Sequence, residues 1–344
     1  MSQRKHVPPE VAEEIARANR VLLVSHIGLD GDHLGCMIAL HSALEKMGKQ
    51  VVAYLPESVP DNFQFMKGME RLSPTLPMER FDLLIALECP EMHRFPKGFD
   101  YKSSAERVLN IDHHPDNQMY GDVVWVEPQM GSLGEMVFDL LEVMEVPFDD
   151  TIAVALYTAI FSDTGSFQYS RVTPRTHQRI ARLLEFDVNT DLVGRSLYRQ
   201  LRFEAMKLLG IVLQNTTRSE DGRLIWAEIP WAEMQRYQVQ PEDTLYFVDQ
   251  LDTVKGAEVV MLFRELEDGR VKVSIRSRHY PVNQVAASFG GGGHAKAAGC
   301  VVEGALGQVS GKVVKAMSES LSQSILQDRD TLPSSPAVSA LKRG

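Results

Sequence analysis

Three cysteines in 344 residues, Cys36, Cys89 and Cys300, form no CxxC pair and are too scattered for a disulfide framework or a structural zinc site. A reducing, cytoplasmic setting is expected. Long hydrophobic runs are missing too: no stretch approaches the roughly 18 to 20 apolar residues of a membrane span. The N-terminal MSQRKHVPPEVAEE runs into acidic helix-forming sequence instead of a signal-peptide core, so no membrane partner is expected. Positive charge is scarce as well. A formal net charge of -10 argues against coating long nucleic acid by charge alone, because proteins that do so carry a broad basic surface. A small anion held locally by a few arginines stays compatible with it.

What is present suits a protein of about two domains with real cores: 44% of residues are hydrophobic and 24% charged. In the first half, short apolar runs (VLLVS, VVAYL, DLLIAL, RVLNI, VVWVE) alternate with helical patterns at about 34–47, 132–145, 151–162 and 174–185. Continuous apolar strands between helices predict an α/β domain with a parallel, doubly wound sheet covered on both faces, over 1–190. A connecting helix is expected over 191–215. Beyond it, RLIWAEI, EVVMLFREL and VKVSIRS alternate as half-buried strands do, with EDGR as a turn, predicting a smaller α+β domain over 216–326. The tail from 327 to 344, rich in Ser, Pro and charge, is expected to be disordered.

Four strand or helix ends carry residues with metal-binding chemistry. In SHIGLDGDHLG, His26, Asp30 and Asp32 lie between VLLVS and the next helix, where parallel sheets bind ligands; a capped strand-to-helix turn would use the same residues. IDHHP supplies Asp112, His113 and His114, so one ring could ligate a metal, the other address a substrate, and Asp112 orient a ring; plain turn histidines are the alternative. Asp163 ends an apolar helix, where a carboxylate is costly unless paired, metal-bound or turned to solvent, and Glu88 follows DLLIAL.

His26, Asp30, Asp32, Glu88, His113 and Asp163 together could hold two divalent cations. Their mixed oxygen and nitrogen donors suit Mn2+, with Mg2+ or Co2+ as alternatives. Two metals about 3.5 to 4 Å apart serve phosphoester hydrolysis. In the second half, FGGGGHAKAAG offers Gly291, Gly292 and Gly293 for close approach to an anion, with His294 expected at the start of a helical turn. Arg276 and Arg278 lie just upstream and could clamp a phosphate; a flexible glycine loop is the alternative.

These motifs resemble the DHH/DHHA1 phosphoesterases, of the small oligoribonuclease and phosphoadenosine-phosphate phosphatase (nanoRNase) type, over roughly residues 15–325. HIGLDGD matches the first motif, Asp112–His114 the namesake DHH, SDTGSF the fourth and GGGGHAKAAG the DHHA1 signature. The resemblance implies one manganese on His26, Asp30 and Glu88 and a second on Asp32, Glu88, His113 and Asp163. It implies His114 at the scissile phosphate, and Arg276 and His294 on the substrate's terminal phosphate or its base-proximal end. The implied substrates are short RNA, the nucleotide pAp, and linear or cyclic dinucleotides, and a homodimer is compatible with it.

Two departures stand out. Glu88 replaces the family's usual bridging Asp, which opens the alternative of a nucleotide-binding module with decayed catalysis. His33 and Cys36 occupy positions that are usually small; His33 could be an extra ligand or a substrate contact, but is expected to be an exposed helix-start residue. A single-strand DNA exonuclease of the superfamily would carry further domains, and a family II pyrophosphatase would lack GGGGH.

Overall fold

The computed structural model describes the backbone of residues 7–331 and side chains to 323. It forms two compact units, divided between Gln200 and Leu201. The first unit contains α1 (Pro9–Arg17), β1 (Arg20–Ser25), α2 (Gly31–Lys46), β2 (Gln50–Tyr54), β3 (Leu72–Ser73), β4 (Phe81–Leu87), α3 (Tyr101–Ser104), β5 (Ala105–Asp112) and β6 (Val123–Val126). Four helices follow: α4 (Leu133–Val143), α5 (Asp150–Asp163), α6 (Pro174–Leu183) and α7 (Thr190–Tyr198).

Its six strands are all parallel, in the order β3-β2-β1-β4-β5-β6. Strand order reverses between β1 and β4, and such a switch point opens a crevice beyond the carboxyl ends of the strands. The register sets what stands there. Ser25 pairs with Leu87, and Leu87 with Ile111, so His26 and Glu88 leave the sheet side by side and Asp112 ends β5 next to them.

Helix α2 is buried on every side from Gly31 to Leu44, so it forms an inner layer instead of a surface helix. It packs tightly on α5 because of two glycines one turn apart. A Cβ on Gly35 would stand 2.3 Å from the Ala155 carbonyl oxygen, and one on Gly31 2.7 Å from Ser162. That close approach brings the start of α2, with Asp32, to the end of α5, with Asp163. The helix starts earlier than the periodicity predicts, because Asp30 accepts from the amides of Asp32 and His33 and caps it.

The second unit contains α8 (Phe203–Gln214), β7 (Thr217–Arg218), β8 (Leu224–Ile229), α9 (Trp231–Arg236), α10 (Phe247–Leu251), β9 (Val259–Glu265) and β10 (Arg270–Ser277). It continues through α11 (Asn283–Ser288), β11 (Gly292–His294), β12 (Ala297–Glu303) and α12 (Leu306–Thr331). The sheet order is β11-β12-β10-β9-β8-β7, antiparallel except where β8 meets β9. Val259, Met261 and Phe263 pack towards α12, while Val260 and Leu262 join the core under α8 and α10. Thus β9 is covered on both faces, whereas β10 alternates as its sequence predicts.

Three expectations are corrected. The single connecting helix is two helices, α7 and α8, broken at 199–202 where Arg202 is extended (φ -58°, ψ 146°). Residues 327–331 of the expected tail are helical, as the end of α12; the rest of that tail lies outside the described residues. His294 begins no helical turn but ends β11, in a hairpin with β12. Among the described residues no helix is long and apolar enough to cross a membrane.

Candidate metal and phosphoester site

The strand ends of the first unit gather His26, Asp30, Asp32, Glu88, His113 and Asp163, the six residues singled out as metal ligands. Two rings within the cluster are set in the same way. Nδ1 of His26 lies 2.9 Å from the Ile27 carbonyl, and Nδ1 of His113 lies 3.2 Å from the Met130 carbonyl. A carbonyl only accepts, so Nδ1 carries the proton in both rings and Nε2 is left for the site. Nε2 of His26 faces Asp30 Oδ2 at 3.5 Å. Nε2 of His113 faces three carboxylates: Glu88 Oε1 at 2.9 Å, Asp163 Oδ2 at 3.5 Å and Asp32 Oδ2 at 3.9 Å. A cation, whether proton or metal, belongs among them.

The electrostatics agree. Burial first, then the neighbouring carboxylates, pushes Asp32 and Glu88 well above the ordinary carboxylate range. Asp163 is raised too, chiefly by burial. Burial opposes charge on His113, but Asp163 and Asp32 outweigh it and lift the ring above its usual value. Among the described residues the ion-pair partners of Asp30, Asp32, Glu88 and Asp163 are histidines, not lysines or arginines. Such a set fits divalent cations. Within the first unit ligand atoms cluster in two groups, His26–Asp30–His33–Glu88 and Asp32–His113–Asp163, each within 4.8 Å, and Glu88 reaches the second through His113. The Cys36 thiol donates to Asp32 Oδ1 at 3.5 Å, burial pushes it well up, and it belongs to neither ligand group.

Local backbone explains the aim of these groups. Glu88 sits at φ +52°, a left-handed conformation that turns its side chain off β4 towards His113. Both oxygens of Asp32 are fixed by the first-turn amides of α4, from Leu133 at 2.6 Å and Gly134 at 2.8 Å. Neither amide could be found from the sequence, since they lie about a hundred residues away.

Asp112 stands behind His114 and outside both ligand groups. Its Oδ1 accepts from the amides of His113 and His114 and from His114 Nδ1 at 2.7 Å. Its Oδ2 accepts from Asn117 at 2.6 Å, and Asn117 pairs reciprocally with buried Asn110. Burial opposes its charge, but these hydrogen bonds hold Asp112 below the usual range. Asn110 and Asn117 were missed from sequence, although N-x-D-H-H-x-x-N placed both amides within reach. His33 was misjudged: its ring is fully buried, not exposed.

In the second unit, Arg276 and His294 both pair with Ala297 across adjacent strands, forming one cross-strand row with a small residue in the middle. Arg276 is held by Asp249 at 3.0 Å, and Arg278 by the Asp252 and Val254 carbonyls, so Arg278 serves to tie β10 to the loop after α10. The glycines also have a structural part. A Cβ on Gly291 would meet the Gly299 carbonyl oxygen at 2.1 Å, and one on Gly293 (φ +128°) that of Ala297 at 2.6 Å. They let the hairpin close on itself, while Gly292 has open space around it.

The sequence matches the family descriptions "DHH family, N-terminal domain" over residues 20–160 and "DHHA1 domain" over 228–323. It is 32% identical over 313 residues to the bifunctional oligoribonuclease and PAP phosphatase NrnA of Thermus thermophilus, covering 88% of this chain and 90% of that one. The protein of the same name from Bacillus subtilis is 23% identical over 296 residues, covering 85% and 92%. Among solved structures, an exopolyphosphatase-related protein from Bacteroides fragilis superposes with a TM-score of 0.81 at 25% identity, covering 91% of this chain and 95% of that one. Both family matches and the 32% identity over most of both chains show the family: the chain belongs to the DHH family of phosphoesterases, hydrolases of phosphate esters, in the branch that carries a DHHA1 domain.

Proposed function

We propose that this enzyme is a manganese-dependent phosphodiesterase that hydrolyses very short RNA, with pAp and linear or cyclic dinucleotides as further substrates. The observation that carries the reading is the convergence of two buried carboxylates, Asp32 and Glu88, and the half-buried Asp163 on Nε2 of His113 at the switch point of the sheet. His26, Asp30 and Glu88 would hold one ion, and Asp32, Glu88, His113 and Asp163 the other. Bound there, the two ions supply an activated water and charge stabilisation at the leaving oxygen.

The chain's own groups do the rest. Asp112 accepts the Nδ1 proton of His114 and fixes its ring, which is assigned to the scissile phosphate. Asn117, itself paired with buried Asn110, holds Asp112 in turn, so the ring is preorganised before substrate arrives. Arg276 and His294 are assigned to the substrate's terminal phosphate. The preference for short RNA rests on the names of the relatives. Glu88 lies against His113 as a bridging acid should, which speaks against a binding module with decayed catalysis.

A panel of labelled RNAs of two to about twenty-four nucleotides, with pAp and cyclic di-AMP, assayed with manganese and with chelator, tests the proposal. Manganese-dependent cleavage fastest on the shortest RNAs is expected. Binding without turnover on every member would instead establish the binding module.

A further inference from the structure

His33 follows Asp32 in the first turn of α2, and its ring is fully buried. Neither ring nitrogen makes a hydrogen bond. Nδ1 comes within 3.2 Å of Asp30 Oδ1, but that oxygen already accepts from the amides of Asp32 and His33. The ring meets His26 edge-on, with centroids 4.5 Å apart. A histidine retained only for packing would satisfy its nitrogens, or be replaced by an aliphatic side chain that has none. Here one ligand atom from each of His26, Asp30, His33 and Glu88 lies within 4.8 Å of the others, a span that one divalent ion can draw together.

We propose that His33 is an additional protein ligand to the ion held by His26, Asp30 and Glu88, giving that position a second imidazole nitrogen. The inference rests on the metal reading above and adds a ligand to it. A nitrogen-richer position moves its preference away from Mg2+ and towards Co2+, because imidazole favours the later divalent ions. His33 does not share the second position, whose ligand atoms come from Asp32, His113 and Asp163, so the two positions should differ in cobalt affinity.

Cobalt binding by the full chain tests this, followed by calorimetry and by the visible d–d absorption of the bound ion. With His33→Ala, affinity for one ion should fall by at least about tenfold and the absorption should change, since even outer partners of ligands are worth that much. Unchanged affinity and spectrum in a folded His33→Ala protein would overturn the inference alone. Absence of cobalt binding in the unaltered protein would overturn the metal reading with it. Should His33→Ala not fold, proton spectra of the cobalt-loaded unaltered protein decide. Contact-shifted ring N–H signals from His26, His33 and His113 support the assignment, and signals from His26 and His113 alone overturn it.

Discussion

Glu88 combines three unfavourable features: a left-handed backbone, near-complete burial, and an environment of other carboxylates. Such a residue is retained for what it does, not for stability. Glu88→Gln should therefore stabilise the metal-free protein, read as a higher midpoint in a thermal or urea melt. The sign follows from the raised folded value: the charged carboxylate is less favourable in the folded chain than in the unfolded one, so the gain appears above the unfolded pKa and grows as pH rises towards the folded one. Turnover with manganese should fall by about a hundredfold or more, since a ligand is worth at least what its outer partners are. Loss of both stability and activity would instead mark Glu88 as a structural residue. At this scale the sequence was legible wherever chemistry sits at an element's end, as with Asp30 and His113. It was not legible for His33, because the burial of α2 on every side comes from packing that one helix's pattern does not reveal.

Between elements, the contact of α2 with α5 positions the ligands. Gly35→Ala would press a methyl group into the Ala155 carbonyl. A cost of about 1 to 3 kcal/mol is expected, with lower metal affinity as Asp32 and Asp163 are forced apart. Normal affinity in the variant would mean that α2 can shift without disturbing the site. Helix α5 also depends on its cap: Asp149 accepts from the Ile152 amide at 2.9 Å and pairs with Lys46. Asp149→Ala should cost about 1 kcal/mol. Burial works against the Asp149 charge, but the Ile152 amide and Lys46 hold its carboxyl below the usual range. Its contribution is thus present above the unfolded pKa and fades as pH falls through the folded one. Melts of the two proteins should converge in acid; a gap that persists there would assign the effect to packing.

Strand and helix alternation in the first unit was readable from apolar runs, whereas the break between α7 and α8 was not, since LYRQLRFEAM carries no Gly or Pro to mark it. GGGGH misled in the opposite sense: glycines that look like a loop are needed for the close hairpin of β11 and β12.

For the whole molecule, the proposal gives the two units different tasks. Arg276 sits in a half-buried pair with Asp249, and burial raises that carboxyl despite the guanidinium beside it. Arg276→Ala should raise KM for short RNA by about tenfold or more while metal binding stays unchanged, the pattern of lost substrate contact. An unaltered KM would confine Arg276 to tying Asp249 to β10. The most direct test of the account compares the unaltered protein with Asp163→Ala on one labelled diribonucleotide under manganese, each checked for fold by circular dichroism. The account predicts cleavage by the first and a loss of about a hundredfold or more in a folded second; equal cleavage by both would contradict the site assigned to the first unit.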